Sequence, residues 1–547
     1  MSSTDVLIIG SGPTGLVCAL TLAQNGISVR VVEKLSDYPA GQRGAGIMPR
    51  TLEIYHFLGV LDDIKELGTP FMDLKEYDAD GHPVKTFSMI PYQGPTPNIP
   101  ERDALALGQD AACGVLRNHL KKYGVEVELE TELVGFEQHD DHVTATLVKK
   151  QTTSVENVKY LIGADGAKGI VRKLLGLEFL GETRDKMHVL IGDIEIEGLD
   201  NAHWHKFGEM PHNSVMLRPT NRFKENIFFL TCTGLTFDIE KALEDHDYIA
   251  KHIHDITKRP NLKIGRMESL ANYRPNIRMV STFQQGRIFV AGDAAHVHSA
   301  TGGQGMNSSV MDAFNLGWKL ALVLKNLSTP SLLASYTEER LPVIKEMLDR
   351  TTALLNITVN PNRKATDARP WQRSSSLNQL GVHYRWSSFV RDELNAEEQV
   401  PAQENSSTYV VGEGERLHAG DRAHDASELV SLETGKHKRL FDIYGADHHT
   451  IIIFTNQSQD AVSVVKALAR YSKDAVRSVV VYPQSSLQSA VDGVDFTLID
   501  KRGHAYSAYP TTPGETIIAI VRPDGVVGGI VRGADGLEKY FSKIFAA

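Results

Sequence analysis

The stretch from Val6 to Glu33 leaves this chain little choice of fold. Val6-Leu7-Ile8-Ile9 is an unbroken apolar run, the pattern of a strand buried on both faces. Gly10-Ser11-Gly12-Pro13-Thr14-Gly15 follows, then the helix-forming stretch Leu16 to Ala23, closed by Asn25-Gly26. A second strand, Val29-Arg30-Val31-Val32, ends at Glu33. This is a βαβ dinucleotide-binding fingerprint in its full context. Gly10 makes the tight turn, Gly12 lets the backbone approach a pyrophosphate beside Pro13, and Gly15 permits close helix–strand packing. Glu33 is placed to accept from both hydroxyls of an adenosine ribose, and a 2′-phosphate there would meet like charge. The fingerprint does not separate one dinucleotide from another.

A second glycine-rich element lies far downstream, at Arg287 to Asn307. It begins as a buried strand (Ile288 to Ala291), turns through Gly292-Asp293 and enters a helical pattern near Met306. Gly302, Gly303 and Gly305 carry no Cβ, so the loop can press backbone N–H groups against a flat or anionic ligand. If both elements hold one ligand, that ligand is long and the intervening chain folds back.

Between them, Arg43 and Arg50 flank a glycine-rich loop, and either can reach a phosphate or another part of the ligand. Residues of about 70–100 read as strands inserted between nucleotide-domain elements. Gln109 to Tyr123 is helical and Val125 to Leu129 extended. The short buried strand Tyr160-Leu161-Ile162 delivers Asp165 to the start of a helix. From 176 to 280 the apolar period switches to two, the mark of an antiparallel sheet forming a second domain, which bounds the nucleotide domain at 1–175 and 281–355. Ala334 to Met347 reads as helix with a break or kink at Pro342, and 356–407 as a linker in which Trp371 and Trp386 suggest local packing. The unit from 408 to 547 has strands at Leu440 to Ile443, Thr450 to Phe454 and Val479 to Tyr482, and a hairpin across Pro523-Asp524-Gly525. Its helices are Ala461 to Ala469 and Gly536 to Ile544, an order that is thioredoxin-like. That unit holds no cysteine, which excludes thiol–disulfide work and favours packing or dimerisation.

A formal net charge of −10 argues against a nucleic-acid partner, and no apolar run reaches the length of a membrane span. Three scattered cysteines fit a reducing compartment and no disulfide framework. The first residues are polar and lead straight into a strand, leaving no room for a signal peptide, so the expected location is cytoplasmic. His296 and His298 have a ligand-like spacing but no nearby acid cluster, so no metal is expected.

Taken in order, Gly10–Gly15 with Glu33, Gly163-Ala164-Asp165-Gly166, and Gly292-Asp293 with its loop resemble the single-component flavin aromatic hydroxylases. The thioredoxin-like end points to the phenol hydroxylase branch. The resemblance implies an α/β fold: a Rossmann-type FAD-binding domain with an inserted antiparallel-sheet substrate domain, plus the C-terminal thioredoxin-like domain. It implies bound FAD and a transient NADPH or NADH, with O2 and a small phenolic aromatic as substrates. Oxygen transfer would run through a flavin C4a-hydroperoxide, and the protein would be a homodimer. Residue by residue, it places the ADP half of FAD at the first motif and the ribityl-pyrophosphate at Asp293. Gly303 lies in the flavin loop, and the backbone of Gly305-Met306-Asn307 matches the pyrimidine edge. Arg43 and Gln109 match positions reaching the cofactor, and Asp165 one that serves both nucleotides.

The chain departs from the family pattern in four places. Ser299-Ala300 stands where relatives carry a proline whose carbonyl lines the substrate site; Gly169 stands for a serine, Cys113 for an acid, and Ala45 for an aspartate that helps activate phenol. Candidates for the substrate pocket are His205, Arg218, Tyr273 and Ala300, with Arg218 or Arg274 first in line if the substrate carries a carboxylate. Oxidative decarboxylation of a 4-hydroxybenzoate to a hydroquinone is the alternative chemistry. A flavin halogenase is disfavoured, since the four tryptophans lie far apart and form no Trp-x-Trp motif. A flavin-binding scaffold without catalysis is the third reading.

Overall fold

The computed structural model describes residues 4–546 apart from 43, 185–186, 211, 235, 361–370, 372–374, 396–406, 410–415, 485–488 and 513. The apolar run Val6–Ile9 forms the centre of a six-stranded sheet. Tyr160–Gly163 flanks it on one side and Val29–Val32 on the other, both parallel to it. Ile288–Val290 lies parallel beside Tyr160–Gly163. Strands from three distant parts of the chain therefore end side by side, and all three feed their loops to one edge of the sheet. The fingerprint helix Pro13–Gln24 and the long helix Gly305–Leu324 pack together on this sheet, the latter with almost every side chain buried.

The expected period-two region is a seven-stranded sheet ordered Lys263–Tyr273, Val189–Glu197, Ile227–Gly234, Asn213–Pro219, His203–Glu209, Asp73–Tyr77, Pro83–Phe87. The 70–100 segment thus contributes its two strands to this second sheet, pairing parallel with His203–Glu209. Alternation divides the sheet cleanly. One face, with Leu190, Phe207, Leu217 and Phe228, is covered by the helices Ile239–Glu244 and His246–Thr257. The other carries Leu74, Met216 and Trp204, against which Met89 and the buried Trp371 pack.

The helix starting at Ser335 runs through Pro342 to Thr358 instead of breaking. Proline removes the N–H that would bond the carbonyl four residues back. Here that carbonyl, on Glu338, accepts from the Trp386 indole at 2.9 Å, so its bond is made by another segment.

Seven strands beyond residue 408, with Arg391–Asp392 from the stretch expected as linker, form an eight-stranded sheet that has His449–Phe454, Val476–Pro483 and Phe496–Asp500 in parallel and the hairpin Ile517–Val521/Val527–Arg532 antiparallel. Gly525, at φ +67°, turns that hairpin. Leu440–Asp442, expected as a strand, is a 3-10 turn. Asp425 captures the Phe441 N–H at 2.9 Å, and a run this short yields to such a local bond. Buried charges join this unit to the first sheet's helices. Glu339 binds Lys319 and Arg522, both at 2.7 Å, and Glu53 binds Arg422 at 2.9 Å.

Candidate active site

The three strand ends define the site. Gly10 sits at φ +105° with the place of a Cβ only 2.3 Å from the Ala164 carbonyl oxygen, so the first and second motifs touch through it. A Cβ on Gly15 would stand 2.1 Å from the Gly10 oxygen, whereas one on Gly12 would meet nothing within 4 Å. Close packing and an open shoulder are thus assigned to the glycines the fingerprint expects, with Pro13 opening the helix. The Glu33 carboxylate accepts from the Ser11 N–H at 3.1 Å and its hydroxyl at 3.0 Å, which sets the acid at the mouth of the turn. Glu33, Gly12 and Gln109 line one cleft with Ser11, Gly41 and Cys113. Cys113 is buried there and its thiol is pushed up to about 12, so it is neutral.

Asp165 holds the N–H of Val171 at 3.0 Å through one carboxylate oxygen. Its other oxygen is buried without a partner among the described residues, and burial raises the pKa of the carboxyl. A Cβ at Gly169 would fall 2.1 Å from that oxygen, which accounts for glycine where the family pattern has serine. An orphaned buried acceptor at the edge of the nucleotide cleft fits a ligand that brings a hydroxyl.

Asp293 is exposed on the turn Gly292–Ala294 at the third strand end. That turn is fixed by Asp312, whose side chain is wholly buried in the long helix. Asp312 accepts from His296 Nε2 at 2.6 Å, the Gly292 N–H at 3.1 Å and Arg340 Nε at 2.8 Å. His296 is therefore a strut. His298 lies over the start of the long helix, its Nδ1 2.5 Å from the Ser299 carbonyl, and burial lowers its pKa to about 4.

The long helix begins at Gly305, at the end of the glycine loop. Asn307 clasps three backbone groups at 2.8 Å: its oxygen accepts from Met48, and its amide donates to the carbonyls of Gly46 and Gly303. The N-terminus with Gly303, Gly305 and Met306 is thereby locked against the short strand Gly46–Ile47 and the Met48 that follows it, and a helix start of this kind suits an anionic ring edge. Arg43 lies outside the described residues. Arg50 points away from the cleft. It pairs with Glu53 at 2.7 Å and donates to the Asp524 carbonyl at 2.7 Å, so its expected reach to a ligand gives way to a structural tie.

Of the pocket candidates, Tyr273 and Ala300 meet: the Ala300 N–H donates to the Tyr273 hydroxyl at 2.7 Å. Proline could not make this bond, which gives Ala300 a local reason. Burial first, and Asp293 nearby, raise Tyr273 to about 12. His205 is corrected. It pairs in register with Leu217 on the helix-covered face, with Tyr77 OH 2.7 Å from Nδ1 and the Asp200 carbonyl 2.8 Å from Nε2, leaving neither nitrogen for a ligand. Arg218 lies on the opposite face, beside Trp204, with Nη2 2.9 Å from Gln42 Oε1. Arg274, the other carboxylate candidate, is exposed just beyond the Lys263–Tyr273 strand. Sequence reasoning missed Asp193 and Asp312. Asp193 could have been found by alternation, as an acid opposite Leu190 and Ile194 in an apolar strand.

Among the described residues, no helix is long and apolar enough to cross a membrane. The FAD binding domain family model matches residues 3–351. A flavin-dependent monooxygenase of Mycobacteroides abscessus is 33% identical over 458 residues, covering 83% of this chain and 89% of that protein. Pentachlorophenol 4-monooxygenase of Sphingobium chlorophenolicum is 27% identical over 96% of this chain and 94% of its own length. Aklavinone-11 hydroxylase, solved in a ternary complex with FAD and aklavinone, superposes with a TM-score of 0.80 at 23% identity over 100% of this chain and 99% of that one. At that identity the likeness is one of fold.

Proposed function

We infer a reaction from one premise: the chain belongs to the FAD binding domain family of flavoprotein monooxygenases. It is an FAD-dependent monooxygenase that uses NAD(P)H and O2 to hydroxylate a phenolic aromatic. Bound FAD would supply the hydride acceptor for NAD(P)H and the chemistry that activates O2. The convergence of three strand ends on one sheet edge carries the assignment of its site. On this reading Gly10, Gly12 and Gly15 receive the pyrophosphate and Glu33 the adenosine ribose. Gln109 and Asp293 hold the middle of the cofactor, and Asp165 is left to serve both nucleotides. The start of the Gly305–Leu324 helix faces the ring edge that carries negative charge on reduction. The chain binds, orients and dries the phenol between the second sheet and the flavin loop, and needs no nucleophile of its own.

The unit after residue 408 is read as thioredoxin-like in ancestry and as a packing or dimer-forming element. A monomer by light scattering would end the dimer part of this reading. The reaction is tested by NAD(P)H oxidation over a panel of phenols with product mass. A phenol that stimulates oxidation and emerges heavier by one oxygen is the expected result. Protein purified without flavin, or with flavin but indifferent to every phenol, would overturn it.

A further inference from the structure

Three adjacent strands of the second sheet carry a cross-strand row. Asp193 faces Phe229, and Phe229 faces Arg218, in antiparallel register. Neighbouring strands lie about 4.8 Å apart, so the acid and the arginine start roughly 10 Å from one another across the aromatic ring. Phe229 is only half-buried, and the Arg218 guanidinium lies 5.4 Å from its centroid.

Both charged groups are buried, Asp193 with 3% and Arg218 with 8% of its surface exposed, yet they do not pair. Among the described residues, Arg218 donates to neutral oxygens alone, Gln42 Oε1 at 2.9 Å and the Pro219 carbonyl at 3.4 Å. Asp193 Oδ1 has no partner among the described residues. The other groups around Asp193 do not complete it. The Gln42 N–H and Gly41 lie over it from the loop that borders the nucleotide cleft, Asp110 of the Gln109–Lys121 helix repels it, and the Arg222 charge is engaged by Glu225 and Glu268. Burial, then Asp110, raises Asp193 to about 6, and burial lowers Arg218 to about 10. Two buried, half-satisfied opposite charges are costly unless something bridges them.

We propose that Asp193, Phe229 and Arg218 form a two-ended receptor for a phenol bearing an anionic substituent, with Asp193 as the proton acceptor for the phenolic hydroxyl. This rests on the hydroxylase reading above. The ring lies on Phe229 and the carboxylate of the substrate on Arg218. At the other end the phenolic O–H bond breaks, its proton forms an O–H bond with Asp193 Oδ1, and the electron pair stays on the phenolate oxygen. The ring is thereby made electron-rich, and the proton returns to the product oxygen when Asp193 ionises again. This role falls to the second sheet in a chain that has Ala45 in the loop.

The test is a factorial assay on the full-length, FAD-loaded protein. A hydroxyphenyl carboxylic acid is compared with its amide, and a weakly acidic phenol with a nitrophenol already ionised at the assay pH. Asp193→Asn is expected to lower kcat/KM for the un-ionised phenol about 100-fold relative to the nitrophenol, with Asp193→Glu restoring part of it. The acid limb of the wild-type rate profile, near pH 6, should vanish in Asp193→Asn. Arg218→Gln is expected to raise KM for the acid about 10- to 100-fold while leaving KM for the amide nearly unchanged, with Arg218→Lys intermediate. Equal losses on ionised and un-ionised phenols, or on acid and amide, would mark both residues as structural and overturn the assignment. A wild-type protein that oxidises NAD(P)H indifferently to all phenols would overturn the hydroxylase reading itself.

Discussion

Replacing Asp312 by Asn should loosen the flavin site from a position outside the cleft. The two carboxylate oxygens divide their work: Oδ1 accepts from Arg340, and Oδ2 accepts from both Gly292 and His296. An asparagine oriented to keep Arg340 turns its NH2 toward the Gly292 N–H, which cannot reverse roles. Flipped, it turns the NH2 toward a guanidinium. Either way a buried donor faces a donor, and Arg340 loses its carboxylate. Removing one partner of a buried ion pair costs about 3–5 kcal/mol. The loss falls on the turn that carries Asp293, so we expect FAD retention to weaken at least about tenfold, equivalent to about 1.4 kcal/mol. The assay is flavin fluorescence during a thermal ramp, with FAD content after gel filtration as a second measure. Flavin release reports this site locally, which suits a chain of several sheets that need not unfold as one. A variant that retains FAD and releases it at the wild-type temperature would show that the Gly292–Ala294 turn is held by something else, and the reasoning would be wrong.

Three other perturbations follow from the geometry. Gly10→Ala should abolish FAD binding, because its Cβ would sit 2.3 Å from the Ala164 oxygen in a backbone region that alanine avoids; an intact flavin spectrum would contradict this. Ala300→Pro should cost about 1 kcal/mol through loss of the N–H bond to Tyr273, and should cost less in a Tyr273→Phe background; strict additivity in a double-mutant cycle would deny the bond any energetic role. His449 is fully buried among Trp318, Tyr540 and Phe541, and burial lowers its pKa to about 3. The folded state then binds fewer protons than the unfolded one, so stability is lost as pH falls from about 6.5 toward 3. His449→Met should flatten that part of a stability–pH curve, and an unchanged slope would refute the shift.

The first element was legible because it is contiguous: strand, turn, helix, strand and acid all fall within Val6 to Glu33. The strand runs at Tyr160 and Ile288 were equally plain, but their adjacency to Val6–Ile9 is a matter of long-range register that no local pattern states. The same limit hid the contact between Tyr273 and Ala300, each singled out for separate reasons. Arg50 illustrates the opposite case. Its glycine-rich surroundings suggested a ligand, and its partners came from Asp524, far along the chain. Pro342 was read from propensity alone, and Trp386, which supplies the missing donor, could not be connected to it by inspection. Asp193 was within reach of period-two counting, whereas the burial of Asp312 needed the packing of the long helix against Ser335–Thr358.

The charge cluster around Glu339 bears on how such a protein can be recombined. Lys319 and Glu339 belong to helices of the first unit, while Arg522 and Asp524 arrive from the far end of the chain, all with buried side chains. A chimera joined near residue 408, where the sequence offers its natural seam, would import a new far end onto an old lysine and glutamate. Unless the donor brings its own arginine and aspartate to the same places, the hybrid leaves Glu339 paired with Lys319 but stripped of the guanidinium that binds both its oxygens, and a buried charge network is cut in half. Lys319 and Glu339 should therefore travel with the C-terminal segment in any domain exchange, whatever linker is chosen.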